Sequence, residues 1–226
     1  MTRVTVGVID SGVNVPHPHL ADVEGGVAFD FEGTASEDFV DTLGHGTAAA
    51  AAIREKAPEA ELWAVKVFRR ELATTVPTLV RAIDWATERG LRLVNLSLGT
   101  PNDSRAPELA PAVERAVARG SIIVSAHEFD GMLWFPGSMP GVVGVVMDPD
   151  QPRESAAVVE LGSGNVLRAS PYPRPIPGVP RERNFNGISF AVANATGVLA
   201  ALLARHPEVT TAAAAIDCLR ARPVDP

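Results

Sequence analysis

Short, near-continuous apolar runs recur along the chain, separated by stretches in which apolar residues return every third or fourth position. The runs 3–10 (RVTVGVID), 61–68 (ELWAVKVF), 91–98 (LRLVNLSL), 121–126 (SIIVSA) and 141–147 (GVVGVVM) are rich in β-branched residues and read as buried strands. Helical spacing runs through the alanine-rich Gly46–Glu55, through Val76–Arg89, and through Pro107–Arg119 with Gly120 as its cap. It returns in Ser189–Arg205 and in a shorter Thr210–Arg220. Strands apolar on both faces, alternating with helices, predict an α/β fold in three layers, with a mostly parallel central sheet and helices on both faces. In such sheets, sites form beyond the carboxyl ends of the strands.

Segment 148–183 breaks the pattern, with seven prolines from Pro149 to Pro180. It reads as a surface excursion carrying one strand pair, near Ala156–Glu160 and Asn165–Ala169. No internal repeat and no domain boundary is visible, so residues 1–226 are expected to form one domain. A net charge of −7 gives no electrostatic support to a nucleic-acid or anionic-membrane partner. No run is expected to reach the roughly 18 apolar residues of a membrane span. The single cysteine, Cys218, excludes an intrachain disulfide, reads as a packing residue, and fits a reducing, cytoplasmic setting. The segment 1–9 is too short and strand-like for a signal peptide. Oligomeric state is left open.

Three polar residues stand at ends of these elements. Asp10 closes the first strand in VIDSGV, His45 lies between glycines in GHGT at the start of a helix, and Ser189 follows Gly187 in GISFA at the start of another. Each alone has a plain reading as a turn residue, a surface or capping histidine, or an N-cap. Together, in that order at the mouth of a parallel sheet, they supply an orienter, a base and a nucleophile. The chain resembles the subtilisin-like serine proteases on these motifs, and also on NLSLG (95–99) and WFPG (134–137). The resemblance covers about Thr5 to Arg205.

It implies that Ser189 attacks a scissile carbonyl, that His45 accepts its proton through Nε2, and that Asp10 holds His45 Nδ1. It also implies that Ser97, Leu98 and Gly99 line the substrate strand. Where the family carries Ala-Gly-Asn, whose Asn amide helps to bind the oxyanion, this chain has Ala126, His127 and Glu128. His127 or Glu128 is therefore expected to face the cleft as the replacement. Either group is otherwise an awkward residue at the end of a buried strand, unless it belongs to a solvent-facing loop. Ile188 and Ala193 replace a Thr and a Pro of the family pattern. Trp134, with His127, is expected to narrow the P1 pocket, unless it is a core residue beside Phe135.

No prodomain of the kind used by secreted members is expected, and no Asp/Asn-rich loop reads as a calcium site. His17 and His19, between prolines and without a third ligand, read as a surface loop and not a metal site. No cofactor or metal is expected. The resemblance implies a serine endopeptidase acting on a peptide or protein, specialised for processing a precursor with a small P1 residue. The alternative is a catalytically impaired pseudoprotease that binds a peptide or acts as a scaffold. A nucleotide-binding fold is disfavoured, because no glycine-rich phosphate loop follows any strand.

Overall fold

The computed structural model describes residues 3–162 and 164–221. In chain order the elements are β1 (Thr5–Asp10), β2 (Gly25–Phe29), β3 (Ala35–Ser36), α1 (His45–Lys56), β4 (Glu61–Lys66), α2 (Val76–Glu88) and β5 (Leu93–Leu96). They continue with α3 (Ala106–Ala118), β6 (Ile122–Ala126), the hairpin β7 (Glu128–Phe129) and β8 (Met132–Leu133), and β9 (Val143–Met147). The chain ends with β10 (Ala156–Leu161), β11 (Gly164–Ala169), α4 (Ile188–Arg205) and α5 (Ala212–Ala221).

A nine-stranded sheet runs in the order β10-β11-β9-β6-β5-β1-β4-β2-β3, parallel from β11 to β2 and antiparallel at both edges. Alternation along β1 sends Val6 and Val8 to one face, into a cluster with residues of α1, α4 and α5, and Ile9 to the other, with α2 and α3. These are the three layers expected. β1 lies between β4 and β5, which reach it by helices on opposite faces, so a crevice opens at the carboxyl ends of β1 and β5.

Two features differ from the sequence reading. The strand pair in 148–183 does not stand off the surface: β11 pairs in parallel with β9 and extends the central sheet. The proline-rich excursion proper follows it. α4 is long and apolar enough to cross a membrane by length and composition, which the reading did not anticipate. Its place in the fold explains the composition, because 78% of that stretch is buried inside the protein between α1 and the sheet. A core helix covered all round must be apolar all round.

Candidate active site

Asp10 follows Val6 and Val8 in the β1 alternation and so faces α1, whose first residue is His45. Gly44 before it has φ 80°, a left-handed conformation that glycine adopts without strain. Gly46 after it lets the helix approach β1, since a Cβ there would lie 2.3 Å from the Gly12 carbonyl oxygen and 3.1 Å from Asp10 Cβ. The result is a 2.7 Å contact between His45 Nδ1 and Asp10 Oδ1, with Asp10 wholly buried and His45 nearly so. A carboxylate can only accept here, so Nδ1 carries the proton and Nε2 of the neutral ring is left as the basic nitrogen. Burial disfavours the imidazolium. The hydrogen bond and charge of Asp10, with the charge of Asp41, outweigh that and hold His45 above the ordinary histidine value.

Asp41 escaped the sequence reading, although a lone Asp four residues before a glycine-flanked histidine is a recognisable turn signal. Its Oδ1 accepts from Ser11 Oγ and from the amides of Leu43 and Gly44, and its Oδ2 accepts from the amide and hydroxyl of Thr47. Burial opposes its ionisation, but these donors prevail and keep its carboxyl below the usual range. Ser11 Oγ in turn accepts from the Gly46 amide at 2.8 Å. Asp41 thereby fixes the turn that presents His45.

Ser189 lies in the first turn of α4, after Gly187, and is not the helix cap. Its backbone N–H is one of the helix-end amides without an intrahelical acceptor. The expected hydrogen bond from its hydroxyl to His45 is not the one formed: Ser189 Oγ donates to the Ser97 carbonyl at 3.0 Å. The reason is local. The β5 ladder ends at Leu96, leaving the next carbonyl in need of a donor. The Ser97 hydroxyl donates to the Ser189 carbonyl at 3.3 Å and accepts from Asn95 Nδ2 at 2.8 Å, while Asn95 Oδ1 accepts from Thr196 Oγ1 at 3.0 Å. A buried polar chain thus pins the end of β5 to α4.

His45, Ser97, Leu98, Gly99, Trp134 and Ser189 line one cleft of about 930 Å³. Beyond Gly99, Thr100 and Phe135 exchange backbone hydrogen bonds of 2.9 Å, which brings Trp134 alongside. The Trp134 ring packs edge-on to Phe129, with centroids 6.0 Å apart. Phe190 lies beside the imidazole, with centroids 5.0 Å apart, and stacks on Phe185.

His127 and Glu128 are not among the cleft-lining residues, which corrects the expectation for the oxyanion position. His127 is buried and lines a separate cavity of about 420 Å³ with Ser138, Asn165 and Asp217. Glycines make its room: a Cβ on Gly144 would lie 2.9 Å from His127 Cβ, and one on Gly137 would lie 1.8 Å from the Ala126 carbonyl oxygen. β6 ends at Ala126, the chain bends at His127, and Glu128 enters the β7–β8 hairpin with an exposed side chain. Among the described residues, no group of three or more His, Cys, Asp or Glu is arranged to hold a metal ion.

A model of the subtilase family matches residues 2–127, which include Asp10 and His45. The chain belongs to the subtilase family. Subtilisin DY of Bacillus licheniformis is 30% identical over 229 residues, covering 92% of this chain and 79% of that protein. An overlap of that extent takes in Ser189. Subtilisin NAT of Bacillus subtilis subsp. natto is 29% identical over 93% of this chain, which spans only 58% of the relative's length. Among solved structures, a lanthipeptide protease superposes with TM-score 0.71 at 19% identity, covering 96% of this chain and 79% of the other. A cold-adapted subtilisin-like serine proteinase gives 0.70 at 22% identity, covering 97% and 81%. The prenylagaramide maturation protease PagA gives 0.67 at 23%, covering 91% and 76%. At these identities the superpositions establish the subtilisin-like fold.

Proposed function

We propose that this subtilase is a serine endopeptidase specialised for processing a precursor peptide. The observation that carries the reading is the buried pairing of Asp10 with His45 at a cleft that Ser189 also lines. A substrate strand would lie along Ser97–Gly99, and its N–H would take the Ser97 carbonyl now held by the Ser189 hydroxyl. The displaced hydroxyl turns to His45 Nε2 and loses its proton there as Oγ attacks the scissile carbonyl. The Ser189 backbone N–H meets the developing oxyanion. Collapse breaks the C–N bond, and the imidazolium returns its proton to the leaving amine. Water, deprotonated by His45, then releases the acyl group and restores the Ser189 hydroxyl.

Specialisation follows from two features of the cleft. Trp134 beside Gly99 occupies room that a long P1 side chain would need, so small P1 residues are preferred. His127 and Glu128 do not line the cleft, so neither stands in for the family's side-chain donor, whose removal costs about 10²–10³ in kcat. Two of the fold neighbours, a lanthipeptide protease and a maturation protease, bear names consistent with peptide processing.

The same bond from Ser189 to Ser97 and the same lack of a donor favour a second reading, a peptide-binding subtilase that does not cut. A peptide library incubated with wild type and Ser189→Ala separates the two. Products formed only by wild type, after Gly, Ala or Ser, support the peptidase; peptide retained by both without products supports the binder.

A further inference from the structure

A second cavity, of about 400 Å³, lies across Phe185 from the cleft, and Phe185 lines both. Its other walls come from the loop after β1, the turn before His45, Thr47, Ala48 and Ala51 of α1, and the proline-rich excursion. The turn and α1 present His45, whereas the loop after β1 and the proline-rich excursion have no part in the proposed reaction. His17, His19 and Arg174 line it, and Asp41 is its one acidic residue. The Asp41 carboxylate is turned inward, since both its oxygens accept from Ser11, Leu43, Gly44 and Thr47. The ring of His17 lies edge-on to that of His19, with centroids 5.0 Å apart. Arg174 donates to the His19 carbonyl through Nη1 at 3.4 Å, and its Nε is 3.9 Å from Glu55 Oε1, while Arg153 and Lys56 hold the other oxygen of that carboxylate. Both contacts are long, so the guanidinium is only weakly engaged, and it is the one permanent cation of the lining, beside a single carboxylate that is already saturated by its own donors.

The direction of a bound chain follows from proton transfer. The acyl half lies along Ser97–Gly99, and the leaving amine must sit where His45 can protonate it. The chain then continues past the imidazole towards Phe185, whose ring is 6.3 Å from that of His45. At about 3.3 Å per extended residue, the second or third residue after the scissile bond reaches the far side of Phe185.

We propose that this cavity is a recognition site for a carboxylate two or three residues after the scissile bond, on an Asp or Glu side chain or at the chain end. Arg174 is its main anchor, and His17 and His19 are neighbouring donors. The inference rests on the peptidase reading for the direction of the chain, but not for the chemistry of the site.

The test uses peptides identical up to the cleavage point that carry, at the second and third positions after it, amidated Gly, amidated Asp, amidated Lys, or Gly with a free carboxyl end. Wild type should favour either carboxylate form over amidated Gly by about five- to tenfold in kcat/KM, with Lys lowest. Arg174→Gln should remove most of that ratio, and Arg174→Glu should invert it in favour of Lys, with Tm confirming that both variants fold. Equal rates for all four peptides, or a ratio untouched by Arg174→Glu, would overturn the inference while leaving the peptidase reading intact. The same peptides bound to Ser189→Ala, read by fluorescence anisotropy, cover the converse. Carboxylate-selective binding abolished by Arg174→Glu, with no turnover by wild type, would keep the site and sink the peptidase.

Discussion

The hydroxyl of Ser189 donates to the carbonyl of Ser97 at 3.0 Å, and the hydroxyl of Ser97 donates back to the carbonyl of Ser189 at 3.3 Å. Ser189 is thus held by the strand that a substrate would use in the proposed reaction, and Asn95 and Thr196 hold that strand from behind. Ser97→Ala keeps the backbone carbonyl but strands the buried amide of Asn95. The expected result is a stability loss of about 1–3 kcal/mol, with a fall in kcat and KM within about twofold. Thermal melts and steady-state kinetics check it; a lowered kcat with unchanged Tm would show that the hydroxyl acts otherwise than by support.

The pairing of Asp10 and His45 sets the pH dependence. A base must be neutral, and Asp10 favours the charged ring, so kcat/KM should rise with pH through a midpoint above about 6.5. The same raised value stabilises the fold most below about pH 6.5, and that contribution fades as pH rises through the folded-state value. Asp10→Asn should lower kcat by about 10⁴-fold, the scale of the corresponding change in other serine proteases, and move the midpoint down. An unmoved midpoint would mean that Asp10 does not govern the titration.

Because Glu128 is exposed and absent from the cleft wall, Glu128→Ala should leave kcat/KM within about twofold of wild type. A fall of tenfold or more, read from initial rates, would place that carboxyl in the reaction after all.

Trp134→Ala should admit larger P1 residues, raising kcat/KM for Leu relative to Ala at P1 by about 10- to 100-fold. Paired peptides differing only at P1 report it. No change in that ratio would assign the indole to packing alone.

The long elements were legible because their apolar spacing is strong: α1 to α5 fall within about two residues of the sequence reading. β2 was not, since Gly25-Gly26 reads as a turn. The glycines are there for contact, as a Cβ on Gly26 would lie 2.5 Å from the Ala64 carbonyl oxygen. Asp10, His45 and Ser189 were legible from short motifs, but the bond from Ser189 to Ser97 depends on where β5 ends. Likewise His127 could not be placed from its own strand: its cavity is made by Gly137 and Gly144, which lie beyond a hairpin of two-residue strands too short to leave a pattern. The side chains that position His45, above all Asp41, speak through hydrogen bonds and leave little trace in hydropathy.

A fluorophosphonate probe measures whether Ser189 is an activated nucleophile without any knowledge of the substrate. Intact-mass and peptide-mapping spectrometry should find one adduct, on Ser189, formed by loss of the probe's fluoride. Labelling should be slow, as expected of a hole short of one donor, and should vanish in His45→Ala. A folded wild-type protein that takes no label, or one whose labelling is as fast without His45, would contradict the account.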